Sequence, residues 1–225
     1  MRDAGRGRTE SSTAALAVRV RERLDEVGYL LFTDARFESV VSLVVGGPVA
    51  GSWWGHPMGG QIYAVAQILD DSSDLLEIPL FFHKTTLVHR RMWPAVVSVA
   101  APRSPWQLAD LAPAARALLR QVDREGELRM DGVEAVPLPR QRTTGDLARE
   151  LERRLLVVGR SVHTPSGRHV KVLASWPHWK STHAFRGRAV GKEAARAQIE
   201  KRAGELFPMV AVRRVVPWGR SGERA

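Results

Sequence analysis

The 225-residue sequence contains no cysteine, which excludes disulfide bonds, thiolate metal ligands and a cysteine nucleophile. It has no apolar run of about eighteen residues, the length that a membrane-spanning helix needs. The N-terminal residues MRDAGRGRTESS are polar and have no apolar segment of the kind that a secretory signal contains. We therefore expect a cytoplasmic protein in a reducing compartment, without a membrane partner.

Motifs of catalysis and cofactor binding are also absent from the sequence. It has no Gly-x-Ser-x-Gly element and no Gly-x-x-x-x-Gly-Lys phosphate loop. The seven histidines form no His-x3-His pair, so we expect no metal site and no cofactor. The isolated carboxylates Glu38, Asp110 and Glu134 are interpreted as caps or solvated residues. Spacing in the sequence does not decide whether the chain is an enzyme.

Acidic residues are missing from two long segments. Residues 153–192 contain no Asp or Glu but nine Arg and Lys, in a chain whose formal net charge is +10. Residues 84–109 are a second, smaller acid-free segment. Such concentrations of positive charge predict a polyanionic partner.

The predicted partner is nucleic acid, duplex DNA rather than RNA, bound mainly through phosphate contacts. Two alternatives remain open. One is an acidic protein partner, and the other is internal pairing with the eight acidic residues between Asp123 and Glu152, which would neutralise part of the excess. The predicted contacts are Arg160, Arg168, Lys171, Lys180, Arg186 and Arg188, with Lys84, Arg90 and Arg91 as a second set.

Three tryptophans are candidates for stacking on bases. Trp53 and Trp54 are adjacent within residues 46–60, a segment with six glycines and two prolines that predicts a loop. Trp179 lies in the basic segment 153–192. Each tryptophan has two interpretations, as an anchor buried in the core or as an exposed platform for unpaired bases.

The hydrophobic periodicity predicts an α+β protein that is predominantly helical. Alternation predicts a pair of strands joined by a tight His83-Lys84 turn, and a basic hairpin in the second half of the chain. A three-residue spacing leaves a helix as the alternative for Arg168–Trp176. Helices are predicted over residues 13–27, 34–45, 61–69, 113–126, 146–156 and 191–206, and strands over residues 75–82, 85–93, 157–163, 168–176 and 209–216.

The order of these elements predicts winged-helix or helix-turn-helix-like units with small β-hairpins. A helix, a turn, a second helix and a short strand over residues 104–130 form one such unit. The predicted organisation is a disordered basic tail at 1–11, an N-terminal helical domain at 12–135, a closely packed basic α+β domain at 143–216, and a frayed end at 217–225.

The segments Gly51-Ser52-Trp53-Trp54-Gly55-His56-Pro57 and Val88-His89-Arg90-Arg91-Met92-Trp93-Pro94, with Leu111–Arg129, resemble an uncharacterised family of short bacterial proteins over residues 35–180. The helix-turn-helix order also resembles, in architecture alone, the winged-helix DNA glycosylases. That resemblance implies DNA repair as an alternative function, with a Gln-x-Gln or Gln-x-Asp motif that positions water at the sugar. Gln121-Val122-Asp123 matches the second form. Because Val122 falls on the apolar face of a predicted helix, we assign this triplet no catalytic role.

Overall fold

A computed structural model describes residues 3–133, 142–163, 169–187 and 190–220. The fold is α+β and predominantly helical, with two three-stranded sheets. The chain forms two compact units, which we call unit 1 and unit 2. Unit 1 comprises Met1–Leu76 and Lys84–Met92, and unit 2 comprises Glu77–His83 and Trp93–Ala225. The predicted domain bounds, 12–135 and 143–216, do not coincide with these units.

Unit 1 contains three helices, of which α1 (Asp3–Val27) is the longest. It begins ten residues before its predicted start. Val20 and Leu24 are fully buried on one side of α1, as their four-residue spacing predicts. The helix is followed by Gly28, which forms its C-cap with a positive φ of 79° and an N–H that donates to the Leu24 carbonyl oxygen.

The second helix, α2 (Val40–Val45), is shorter than predicted because Asp34 does not begin it. The Asp34 carboxylate accepts hydrogen bonds from the backbone N–H groups of Arg36 and Phe37, which closes a turn instead. Ser39 caps α2 through a capping box. The third helix of unit 1, α3 (Gly59–Asp70), is close to its prediction.

The first sheet contains β1 (Tyr29–Leu31), β2 (Leu75–Phe81) and β3 (Lys84–His89) in the order β1-β3-β2. β1 and β3 are antiparallel, with Tyr29 opposite Val88. Phe82 and His83, between β2 and β3, have positive φ angles of 55° and 57°, as the two central residues of a type I′ turn do. The predicted His83-Lys84 turn is therefore wrong by one residue.

Unit 2 contains six helices and the second sheet in its described residues. The elements are α4 (Trp93–Ala100), α5 (Pro105–Leu108), α6 (Pro113–Glu125), β4 (Glu127–Arg129), α7 (Thr144–Arg153), β5 (Val158–His163), β6 (His169–Ala174), α8 (Trp176–Thr182) and α9 (Lys192–Leu206). The sheet is antiparallel in the order β4-β6-β5. The core includes Leu118 on α6, Leu147 and Leu151 on α7, and Leu173 on β6.

Two predictions for the second half of the chain are wrong. Helix α8 lies mostly within residues 177–190, where neither a helix nor a strand is predicted. Pro177 is compatible with it because it lies in the first turn, where its missing N–H has no helical partner to lose. The predicted strand over residues 209–216 is instead irregular chain with a 3₁₀ turn at Val212–Arg214. The two strands of the basic hairpin are confirmed as β5 and β6.

Candidate nucleic-acid interface

The excess of positive over negative charge in this chain belongs to unit 2. Unit 1 contains ten Arg and Lys and ten Asp and Glu, whereas unit 2 contains 24 Arg and Lys and 14 Asp and Glu. Unit 1 is therefore neutral, and the whole formal charge of +10 belongs to unit 2. The net charge of unit 2 would attract a polyanion, whereas unit 1 has no net charge that could do so.

Helix α7 presents two arginines on the side opposite the core. Leu147 and Leu151 are fully buried, while Arg149 and Arg153 are exposed. The pattern follows from helical geometry, because residues two positions apart project about 200° apart around the axis. Neither arginine was among the predicted contacts, although the spacing of the leucines was a signal that would have identified both.

A capping box fixes the start of α7. The Asp146 N–H donates to the Thr143 hydroxyl oxygen at 3.2 Å. The Thr143 backbone N–H and hydroxyl each donate to the Asp146 carboxylate at 2.8 Å. These hydrogen bonds, with a further one from Arg149, lower the pKa of Asp146 to about 2. The start of the helix therefore depends on an ionised Asp146.

The hairpin formed by β5 and β6 contains two of the predicted contacts, and both are paired with acidic residues. Arg160 donates to both carboxylate oxygens of Glu127, at 2.9 and 3.1 Å. Lys171 donates to both carboxylate oxygens of Glu152, at 2.9 and 2.7 Å. Both acids belong to the segment from Asp123 to Glu152, so internal pairing, one of the two alternatives, occurs at these two residues.

The ion pair with Glu127 leaves Arg160 accessible to an external anion. Half of the Arg160 side chain and a third of the Glu127 side chain are exposed. An ion pair with this exposure contributes about 0–1 kcal/mol, so little free energy opposes the exchange of the carboxylate for another anion. The pair of Lys171 is more buried on the Glu152 side, where a carboxylate fills the space that a side chain at Gly159 would need.

Lys180 and Arg186 are the predicted contacts with the greatest freedom to bind an anion. Lys180 lies in the last turn of α8 and is partly exposed, and Arg186 is exposed beyond that helix. Within the described part of the chain, no carboxylate is within ion-pair distance of either side chain. Arg168 and Arg188 lie outside the described residues.

The second predicted set of contacts lies in unit 1. Lys84, Arg90 and Arg91 are all exposed, and the side chains of Lys84 and Arg91 also have partners within the unit. Lys84 donates to the buried Asp34 carboxylate at 2.7 Å. Burial raises the pKa of Asp34, but hydrogen bonds from Lys84 and two backbone N–H groups outweigh burial, and the net effect lowers it. Arg91 donates to the Glu26 carbonyl oxygen, and the Arg90 N–H donates to the Asp74 carbonyl oxygen.

The three candidate tryptophans have different environments. Trp179 is 4% exposed and packs edge-on against Trp93, with ring centroids 4.9 Å apart, so it is a core anchor. Trp53 is partly buried and packs edge-on against Phe32 at 5.8 Å. Trp54 is 67% exposed and stacks on Trp53, with centroids 4.1 Å apart and planes 23° apart. Of the three, Trp54 alone is available to a partner.

The Gln121-Val122-Asp123 triplet does not form an open site. Gln121 is 7% exposed and Val122 is fully buried in the core. Asp123 is paired with Arg103. Among the residues that the structure describes, no group of three or more His, Asp or Glu side chains converges as metal ligands would. The same residues contain no helix long and apolar enough to cross a lipid bilayer.

No protein-family model, no curated protein and no solved structure matches this chain. The interpretation of the basic surface therefore depends on the charges and geometry of unit 2 itself.

Proposed function

We propose that this protein binds nucleic acid through unit 2, mainly by phosphate contacts, and that the preferred form is duplex DNA. The supporting observation is that unit 2 holds the whole charge excess of +10 while unit 1 is neutral. Each phosphate that an Arg or Lys neutralises releases condensed counterions, and this release drives binding without sequence recognition.

We further propose that unit 2 binds DNA in the manner of a winged helix. In its described residues α6 is followed by β4, α7 and the β5–β6 hairpin, with the strands in the order β4-β6-β5. We assign α7 the place of the recognition helix and the hairpin the place of the wing. Arg149 and Arg153 would then face the DNA from the exposed side of α7, opposite its buried leucines.

The choice of duplex DNA over RNA follows from groove dimensions. The major groove of B-DNA is wide enough to admit an α-helix, whereas the major groove of A-form RNA is too narrow for side chains to read. A helix with two exposed arginines therefore suits DNA. The acidic-protein alternative requires no such helix, and no observation on the described residues favours it.

The second candidate function is a DNA-repair activity, which would require a catalytic site besides the DNA-binding surface. The resemblance to winged-helix glycosylases implies a reactive Gln-x-Asp motif, but Gln121 is buried and Asp123 is paired with Arg103. No observation therefore favours this second function, and we limit the proposal to binding.

The proposal predicts a steep loss of affinity for duplex DNA as salt concentration rises. We expect Lys180→Glu combined with Arg186→Glu to weaken binding and to reduce the magnitude of the slope of log K against log[salt] by about 2, because about 0.9 is expected for each lost phosphate contact. Fluorescence anisotropy with a labelled duplex, measured over a salt series, provides the slope.

Arg19→Glu is the matched control, since Arg19 is an exposed arginine of neutral unit 1. We expect this variant to retain the wild-type slope. A salt-independent affinity, or an equal loss in the Arg19 variant, would contradict the proposal.

A further inference from the structure

The exposed Trp54 belongs to an aromatic ladder on the surface of unit 1. Phe32 packs edge-on against Trp53, Trp53 stacks on Trp54, and the Tyr63 ring lies 6.0 Å from that of Trp54. Because Trp53 covers one face of Trp54, the 67% exposure of Trp54 includes its opposite face. The Trp54 ring therefore presents a large planar surface to solvent, and the partly buried Trp53 supports it from behind.

The backbone around Trp54 is fixed. Trp53 and Trp54 lie in a single 3₁₀ turn (Trp53–Gly55), whose N-cap Ser52 accepts a hydrogen bond from the Trp54 N–H. Gly59 brings α3 against this turn, because a Cβ there would lie 3.1 Å from the Trp54 carbonyl oxygen. The ring is therefore held in place before any partner arrives, which lowers the entropic cost of binding.

The surroundings of the ring indicate an uncharged, planar ligand. Trp53 and Tyr63 are aromatic neighbours of Trp54, and the Tyr63 hydroxyl accepts a hydrogen bond from the Gln67 amide. Residues 46–60, which include Trp54, contain no Asp, Glu, Lys or Arg. Unit 1 has no net charge, so we expect no long-range attraction of phosphate to its platform. A nucleobase has a planar face of the right chemistry, and aromatic side chains stack on any base regardless of sequence.

We infer that Trp54 stacks on an unpaired base of the bound nucleic acid. The inference rests on the proposed function, because the charge of unit 2 is what would bring a polynucleotide to this protein. The ligand class is accordingly narrowed to DNA that contains unpaired bases, such as a single-stranded gap or end. Trp53 has the separate role of supporting the platform from the side of the core.

The test compares two strands that differ in their bases alone. Wild-type protein should bind a 20-nucleotide thymidine strand at least about fivefold more tightly than an abasic strand of the same length. This ratio should persist at high salt, because stacking does not depend on counterion release. In the Trp54→Ala variant the two strands should bind equally, while Trp54→Phe should retain part of the preference.

Met209→Ala is the control, since Met209 is an even more exposed apolar residue, at 90%, and lies in unit 2. It should bind like the wild type. Wild-type protein that binds both strands equally would overturn the inference and leave the proposed function standing, whereas binding of no strand and no duplex would overturn both. Trp54-dependent binding to phosphatidylcholine vesicles, without a preference for bases, would assign the platform to a lipid surface and overturn the inference.

Discussion

At the scale of single residues, the two glycines that begin α3 illustrate how neighbours decide the effect of one methyl group. Gly59 is buried, and a Cβ there would lie 3.1 and 3.3 Å from the carbonyl oxygens of Trp54 and Trp53. Gly60 is exposed, and a Cβ there would have no atom within 4 Å. The two residues lie in the same helical turn and, as glycines, have the same intrinsic helix propensity.

We expect Gly60→Ala to stabilise the protein by about 0.5–1 kcal/mol, because alanine favours the helix and restricts the unfolded chain. Gly59→Ala should be less stable than Gly60→Ala by about 1 kcal/mol, since its methyl group is forced against backbone that carries the tryptophans. Urea unfolding of both variants measures the difference. Equal stabilities would show that the turn at Trp53 and Trp54 moves freely.

A third glycine, Gly159 in β5, has a similar constraint from a side chain. A Cβ there would lie 1.8 Å from a carboxylate oxygen of Glu152, which is the oxygen that accepts from Lys171 at 2.9 Å. The residue type at position 159 thus determines whether Lys171 keeps its internal partner. The packing of Gly159 against Glu152 was not predictable from the sequence.

At the scale of elements, α7 combines a buried leucine face with a start that depends on charge. The pKa of Asp146 is lowered to about 2 by hydrogen bonds from Thr143 and Arg149. A carboxylate whose pKa is lower in the folded than in the unfolded state stabilises the fold above its unfolded pKa of about 3.8. This contribution is lost as pH falls from about 4 towards 2.

We therefore expect Asp146→Asn to be less stable than the wild type at pH 6, with the difference shrinking as the pH falls to 2. The asparagine side chain lacks the charge that the Thr143 N–H and hydroxyl stabilise. Unfolding by urea at pH 6, 4 and 2.5, followed by circular dichroism, provides the comparison. A stability difference that is constant over this range would show that Asp146 contributes nothing through its charge.

Among the other elements of unit 2, some positions are determined by local sequence signals and others by tertiary packing. Ser104 and Pro105 begin α5 as their types predict, and the alternating residues of β6 form the predicted strand. In contrast, Pro177 is the second residue of α8 and does not end a regular segment. Proline is compatible with both positions, and the burial of Trp176 and Trp179 decides between them.

At the scale of the whole molecule, the net charge differs from the number of cations that have no acidic partner within the protein. The chain has an excess of ten positive charges, all in unit 2, but the acids of the same unit occupy several of its cations. Binding to a polyanion therefore includes a competition between internal carboxylates and external phosphates. The outcome depends on the exposure of each pair.

Glu127→Gln should release Arg160 and raise the net charge of unit 2, so we expect tighter binding to duplex DNA and a steeper salt dependence. Glu38→Gln is the matched control, because Glu38 also pairs with an arginine, Arg23, but lies in neutral unit 1. Anisotropy titrations of both variants over the same salt series measure the affinity and its salt dependence. A gain in affinity no larger for Glu127→Gln than for Glu38→Gln would exclude Arg160 as a phosphate contact.

The sequence by itself determined the predicted class of partner, the helix faces and most strand positions, because charge composition and hydrophobic period are local properties. It did not decide which cations are free. Glu127 on β4 reaches Arg160 on β5 because both strands pair with β6, and Glu152 reaches Lys171 from α7. It also could not distinguish Trp54 from Trp179. The tertiary structure buries Trp179 against Trp93, which is remote in sequence, and leaves Trp54 in solvent, because burial depends on neighbours that only the folded chain supplies.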